Sequence, residues 1–257
     1  MTPFTFDLSD RVALITGASS GLGARFAQLL AAHGAKVALC ARRKEQLDAL
    51  VEEIGSDGGE AHAIALDATD EAQTIAAYDE AQERFGPVDT VLANAGISSA
   101  GSALKLSVED FDAVMAINVR GAFLTAREGA RRMLASGVGE AGRGRVVVTA
   151  SLAATLTSPG FVAYGASKAG VAHMARNMAL EWVRRGINVN SICPGFIRTG
   201  INDEWFDSEP GKKQIAQMPR QRLIPEDGLD PLVLFLASDA SVAVTGSSFV
   251  VDDGQGL

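Results

Sequence analysis

The segment Tyr164-Gly165-Ala166-Ser167-Lys168 places a phenol and an ammonium four residues apart, on one face of a helix. A phenol titrates near pH 10 (about 10) and exchanges protons poorly at neutral pH. A neighbouring cation favours the phenolate, and Lys168 is placed to supply that field. Ser151, at the end of an apolar run, can donate a hydrogen bond to an oxygen held beside the tyrosine. Such donors stabilise negative charge as it develops on oxygen. Taken alone, a Tyr/Lys pair is also what a packed ring and a solvated charge look like, so its surroundings must decide.

The second group of residues is glycine-rich. Thr16-Gly17-Ala18-Ser19-Ser20-Gly21-Leu22-Gly23 follows an apolar run and opens a helical stretch. Glycines let the chain turn tightly and let a pyrophosphate approach the backbone, where a helix N-terminus offers free N–H groups. The spacing differs from the common G-x-G-x-x-G. One βα unit later the chain reads Leu39-Cys40-Ala41-Arg42-Arg43. An NAD site usually has a carboxylate here for the ribose 2′-hydroxyl. A carboxylate would repel a 2′-phosphate, whereas a guanidinium pairs with it through parallel hydrogen bonds. Arg42 is expected to bind that phosphate and Arg43 to begin a solvated helix, favouring NADP(H), with NAD(H) as the alternative.

Positioning these groups requires a sheet. Arg11–Thr16, Lys36–Ala41, Ala61–Leu66, Val88–Ala93, Arg145–Ala150, Ile187–Cys193 and Ser248–Val251 are short apolar runs that suit strands covered on both faces. Between them, Gly21–His33, Arg43–Ile54, Asp70–Phe85, Ser107–Leu134, Phe161–Arg184 and Leu229–Ser238 have helical periodicity. Ser107 with Asp110 resembles a capping box. The alternation predicts an α/β fold: a doubly wound parallel sheet of about seven strands with helices on both faces. Ligands bind such sheets outside the carboxyl ends of the strands, where every motif above falls. Ser136–Arg145 reads as a mobile loop, and Gly200–Gly228 as a long irregular region of the kind that often carries function.

The length, 257 residues, suits one domain over 1–257. A net charge of −8 argues against a nucleic-acid binder and against an anionic membrane surface. The two cysteines, Cys40 and Cys193, lie in apolar runs and are expected to be free buried thiols; no metal-ligand spacing is present. The opening MTPFTFDLSDRV has no basic segment followed by an apolar core, and no run reaches membrane-spanning length, so a cytoplasmic protein is expected.

The motifs occur in one order: TGASSGLG, Asn94-Ala95-Gly96, Asn118 in INVRG, Ser151, YGASK and Pro194-Gly195. Together they resemble the short-chain dehydrogenase/reductase family, in its compact single-domain branch, from Arg11 to about Gly254. The resemblance implies hydride transfer between NADP(H) and a carbonyl or secondary alcohol. Gly17, Ser19, Ser20, Gly21, Leu22 and Gly23 would form the pyrophosphate turn. Asp67 would bond the adenine amino group, with Ala68 beside it. Asn94, Ala95 and Gly96 would lie beneath the cofactor. Asn118 would hold a water through a helix distortion and extend a proton relay. Ser151 would polarise the carbonyl, Tyr164 exchange the proton, and Lys168 bond the nicotinamide ribose while lowering the tyrosine pKa. Pro194, Gly195, Ile197 and Thr199 would surround the nicotinamide. A homotetramer or homodimer is also implied. Ser20 departs from the basic residue frequent in NADP-preferring members. Asp253 stands where a second glycine is frequent, expected to touch no chemistry.

Leu152, Phe161, Phe196, Trp205 and Phe206 suggest an apolar ketone as substrate, entering beside a loop at about 199–228. Two alternatives stand. A 3-oxoacyl thioester on acyl carrier protein or coenzyme A would use Arg131, Arg132, Arg184 and Arg185 as a basic patch, with Arg185 matching a carrier-contact position of the family. A non-catalytic nucleotide-binding regulator would ordinarily have lost one of Asn118, Ser151, Tyr164 and Lys168.

Overall fold

All seven apolar runs form strands of one sheet. The computed structural model describes residues 6–198 and 203–257, with the backbone alone at 203. The strands are β1 (Val12–Thr16), β2 (Lys36–Ala41), β3 (Glu60–Ala65), β4 (Thr90–Ala93), β5 (Gly144–Thr149), β6 (Ile187–Pro194) and β7 (Ser248–Val251). They pair in parallel in the order β3-β2-β1-β4-β5-β6-β7. Helices α1 (Gly21–Ala32), α2 (Lys44–Ser56), α3 (Glu71–Phe85), α4 (Val108–Met115), α5 (Ala122–Ala135), α6 (Val162–Trp182), α7 (Asp203–Asp207), α8 (Glu209–Gln217) and α9 (Asp230–Ala237) connect them. This is the doubly wound Rossmann arrangement.

Two apolar layers enclose the sheet. On one face Phe26 and Leu30 of α1, Leu47 of α2 and Val233 of α9 pack with Ile15, Leu39 and Leu92. On the other, Tyr78 of α3, Ala126 and Met133 of α5, and Val171 of α6 pack with Leu14, Val91 and Val148. Burial on both faces explains why β1 and β4 read as unbroken apolar runs rather than alternating ones. α5 lies close to β4 because residue 129 is glycine: a Cβ there would sit 2.6 Å from both Tyr78 Oη and Val91 Cγ2. Tyr78, fully buried, satisfies its hydroxyl by donating to Thr125 O at 2.8 Å.

Three expectations are corrected. Ser107–Leu134 is not one α-helix: the Ser107 hydroxyl caps α4 by accepting from Asp110 N–H, but Ala116–Gly121 is a π-helical stretch before α5 begins. Gly200–Gly228 is not irregular throughout, since α7 and α8 lie within it; Ser208 caps α8 through Gly211 N–H. Arg145, read both as the last residue of a loop and as the first of a strand, belongs to the strand, fully buried in β5. Its guanidinium donates to the carbonyls of Ser238, Gly142 and Gly144 at 3.0–3.1 Å, and burial with nearby Arg11 pushes its pKa down to about 10. Cys40 and Cys193 are free and buried, as expected.

Gly129→Ala forces α5 off β4 and is expected to lower stability by about 1–3 kcal/mol. Gly55→Ala, in α2 with open space around it, is expected to raise stability by roughly 0.5–1 kcal/mol. Urea unfolding midpoints at constant slope would separate the two.

Candidate active site

The strand order reverses between β1 and β4, leaving a crevice outside their carboxyl ends. The glycine turn occupies one wall. Gly17 (φ +70°) and Gly21 (φ +55°) are left-handed, a conformation glycine adopts without a Cβ clash. A Cβ on Gly17 would lie 2.8 Å from Ala95 Cα, and one on Gly23 would overlap Gly17 O and lie 2.7 Å from Asn94 Nδ2. The turn is thus pressed onto the end of β4. Ser20 starts α1 with extended backbone, yet its hydroxyl makes no capping bond and no acidic residue occupies the first turn. That helix end suits an anion.

Arg43 was expected to be a plain solvated residue. It is exposed, but its Nη2 reaches back across the turn, donating to Ser19 Oγ at 3.0 Å and Ser20 Oγ at 2.9 Å. A second cation therefore stands at the turn where Ser20 replaces the usual basic residue. Arg42 is exposed on the other side, near Asp67. The Asp67 carboxyl is held below its ordinary value by hydrogen bonds from Thr69 N–H and Oγ1 at 2.9 and 2.8 Å, with a smaller contribution from Arg42. Ala68, buried, packs on Gly121.

Asn94 ties three strands together. Its N–H donates to Thr16 Oγ1 (3.1 Å), its Nδ2 to Thr16 O (3.3 Å), and its Oδ1 accepts from Thr149 Oγ1 (3.1 Å). Ala95 N–H also donates to Thr16 Oγ1. Gly96 then leaves room for two polar groups: a Cβ there would lie 3.2 Å from Asn118 Oδ1 and 3.3 Å from Lys168 Nζ.

Asn118 lies buried in the π stretch. Its Oδ1 accepts from Ile97 N–H (2.8 Å), and its Nδ2 donates to Ile97 O and Ser167 Oγ (both 2.9 Å). Ser167 Oγ in turn donates to Tyr164 O at 2.7 Å. The amide's two donors are thus both used by protein groups, and any water at this residue must be held by other atoms. Lys168, 4% exposed, donates from Nζ to Thr149 O at 2.8 Å and stands 5.7 Å from the Tyr164 ring centre. Burial lowers its pKa to about 8. Burial raises that of Tyr164, while a hydrogen bond from Ser151 lowers it. Burial outweighs that bond, and the Lys168 ammonium is directed at the Thr149 carbonyl.

Pro194 ends β6; Gly195 N–H donates to Val251 O, and Ile197 bridges Ile224. Thr199 lies outside the described residues. Phe161 tilts against the Tyr164 ring at 5.8 Å, and Phe196 meets Phe206 edge-on at 6.1 Å. Leu152 is buried, and Trp205 is half exposed with Nε1 donating to Gln214. Two of the four arginines read as a basic patch are paired with acidic residues. Arg132 is paired with Glu128 and Asp79, and Arg131 with Glu128. Arg184 and Arg185 follow the far end of α6, roughly 30 Å from Tyr164 at about 1.5 Å per residue. The contacts of Thr16, Thr149, Ser167 and Arg43 run through long-range hydrogen bonds that no local motif announces.

Among the described residues no cluster of His, Cys, Asp and Glu is arranged to hold a metal, and no helix is long and apolar enough to cross a membrane. Residues 11–210 match the family profile described as short chain dehydrogenase. The chain belongs to that family. It is 37% identical over 251 residues to D-threitol dehydrogenase of Mycolicibacterium smegmatis, covering 98% of this chain and 95% of that protein. Glucose 1-dehydrogenase of Gluconobacter oxydans is 33% identical, with 99% and 95% covered. A solved gluconate 5-dehydrogenase of Burkholderia cenocepacia, in complex with NADP and tartrate, is 32% identical and superposes with a TM-score of 0.91 over 97% of this chain and 96% of that one. This short-chain dehydrogenase is therefore an oxidoreductase of alcohols or carbonyl compounds, from a family that binds nicotinamide cofactors.

A lysine whose folded pKa lies near 8 and whose unfolded value is 10.5 is neutral in the fold before it is neutral unfolded. Between those values the unfolded chain binds more protons, so folding gains stability as pH rises. The unfolding free energy of the unliganded protein, relative to Lys168→Met, is expected to increase from pH 8 to 10.5; a flat difference would place the ammonium in solvent.

Proposed function

We propose that the protein is an NADP(H)-dependent carbonyl reductase, interconverting a ketone and a secondary alcohol. The observation that carries this reading is buried Lys168, its Nζ 5.7 Å from the Tyr164 ring centre and bonded to Thr149 O at the end of β5, two residues before Ser151. A nicotinamide cofactor, when bound, supplies or accepts the hydride. Tyr164 passes its proton to the oxygen as that oxygen gains negative charge, and Ser151 holds it with a second donor. Lys168 anchors the cofactor ribose and brings positive charge to the phenol. Asn118 fixes Ile97 and, through Ser167, the helix turn that carries Tyr164.

Gly17 to Gly23 cradle the pyrophosphate, Asp67 takes the adenine amino group, with Ala68 beside it, and Asn94, Ala95 and Gly96 form the floor. Pro194, Gly195 and Ile197 would surround the nicotinamide. Arg42 and Arg43, with Ala41 where an NAD-selecting acid would stand, support NADP(H) over NAD(H). Phe161, Phe196 and Leu152 support a mainly apolar ketone. Exposed Phe123, Val162, Leu180 and Val183 on or beside α5 and α6 support a homodimer or homotetramer. A cytoplasmic location belongs to the same reading. The far placement of Arg184 and Arg185 speaks against the carrier-thioester alternative, and the complete catalytic set against a non-catalytic regulator.

A second reading, a hydroxylated ketone or polyol, has one observation in its favour. Ser99 Oγ is buried without a hydrogen-bond partner among the described residues. Its segment is pinned by Asn118 at Ile97 and by Gly101 N–H to Gly160 O at 3.0 Å, four residues before Tyr164. A substrate hydroxyl would satisfy that orphaned group, and the relatives named for threitol, glucose and gluconate fit it.

Absorbance of the reduced cofactor, followed with NADPH and NADH against apolar ketones, hydroxyketones, polyols and oxoacyl thioesters, tests these readings together. Tyr164→Phe is expected to lose about 10²–10⁴-fold in turnover; undiminished activity would overturn the mechanism. Arg43→Ala is expected to raise the KM for NADPH roughly 10-fold or more with little change for NADH. An equal loss with both cofactors would assign Arg43 to the turn rather than to the 2′-phosphate.

A further inference from the structure

Two non-glycine residues have positive φ among the described residues: Gln221 (+50°) and Asp253 (+53°). Both belong to one contact. Arg220 and Arg222, flanking Gln221, bind the two carboxylate oxygens of Asp253 at 3.2 and 2.8 Å through their Nε atoms. Left-handed backbone is unfavourable for a residue such as glutamine and better tolerated by aspartate. It persists where surrounding contacts over-determine it, and such strain concentrates at functional positions. Asp253, expected to touch no chemistry, bonds two arginines of the segment that the sequence reading gave to the substrate.

The neighbouring contacts converge on the same place. Gln255 Oε1 accepts from Phe196 N–H at 2.6 Å, and its Nε2 donates to Phe196 O and Arg222 O, both at 3.4 Å. Ile224 N–H donates to Phe196 O at 2.9 Å, and Ile197 bridges Ile224. A Cβ on Gly195 would overlap Gln255 Oε1, so the C-terminal turn is pressed onto the end of β6. The turn is rigidified by Gly254 N–H and Gly256 N–H, which donate to the two oxygens of Asp252 at 3.0 and 2.8 Å. A Cβ on Gly256 would lie 2.9 Å from Leu152 Cδ1, next to Ser151. One C-terminal turn thereby holds both feet of the excursion that carries α7 and α8, and also packs beside the catalytic serine. Ion pairs this exposed contribute little to global stability, which leaves the placing of those feet as their consequence.

We infer that Asp253 and Gln255 form a latch that positions the α7–α8 excursion, and so sets how tightly the carbonyl substrate is held. The inference rests on the reading above that this excursion meets the substrate. Asp253 and Gln255 are positioning residues; the reacting atoms are held by Ser151 and Tyr164.

Asp253→Asn keeps a side chain tolerant of left-handed backbone but removes the charge; Asp253→Gly relieves the strain as well. Both are expected to raise the KM for ketone about fivefold, leaving kcat and the KM for NADPH within about twofold. Raising ionic strength is expected to move the wild-type KM toward the variants and leave theirs in place. With NADPH present, trypsin is expected to cut after Lys212 and Lys213 of α8 several-fold faster in both variants, at unchanged melting temperature. Wild-type values for both KM and cleavage rate in the two variants would overturn the latch, as would kcat and the KM for NADPH changing along with that for ketone. A wild type that binds NADPH but turns over nothing in the panel defeats the enzymatic reading alone. The cleavage rates then still decide the latch: faster cutting supports it, and unchanged cutting ends it.

Discussion

An ammonium group held out of water at the carboxyl ends of the central strands sets the terms for everything around it. Lys168 is buried on α6, and a buried charge persists only where polar groups surround it. Thr149 O at the end of β5 supplies one acceptor, and the missing side chain of Gly96 leaves the space between it and Asn118. Thr149 in turn is fastened by Asn94 to Thr16, so the ends of β1, β4 and β5 are held in register at the one place where strand order reverses. The lysine, the glycine turn and the asparagine are parts of a single hydrogen-bonded unit.

The π stretch at Ala116–Gly121 belongs to the same unit. An uninterrupted α-helix from Ser107 would carry residue 118 at a different angle. The extra residue in the turn lets Asn118 face inward, where its amide clamps Ile97 on one side and Ser167 on the other. Ser167 bonds back to the Tyr164 carbonyl, so the first turn of α6 is tied to the end of β4. π-helical insertions are rare and concentrate at functional sites. Here the insertion links the segment after β4 to the turn that bears the phenol.

Much of this was legible before any coordinates. Strand positions were accurate to within two residues because sheet burial on both faces writes a continuous apolar run. That Tyr164, Lys168 and Ser151 stand close together was legible because the first two share a helix and Ser151 closes a strand. The break in the fourth helical stretch was not, since a π turn leaves the apolar periodicity almost unchanged. Nor were α7 and α8, which are short and polar: α8 buries only Gly211 among its nine residues, so no apolar stripe announces it. Arg43 looked like an ordinary exposed residue at the start of α2, and it is exposed; what it touches lies 23 and 24 residues earlier.

Sequence alone determined the parallel α/β architecture, the glycine turn, the absence of an acid at Ala41 and which residues are proposed to move the proton. Each is a local property: a run, a spacing or a side-chain type. Tertiary structure decided which way Lys168 points, that Arg43 reaches back to Ser19 and Ser20, and that Asp253 grips Arg220 and Arg222 across more than thirty residues of chain. Those outcomes depend on how separate strands register and how closely their ends approach. Periodicity reports which face of an element is buried, but carries no information on what waits across the gap.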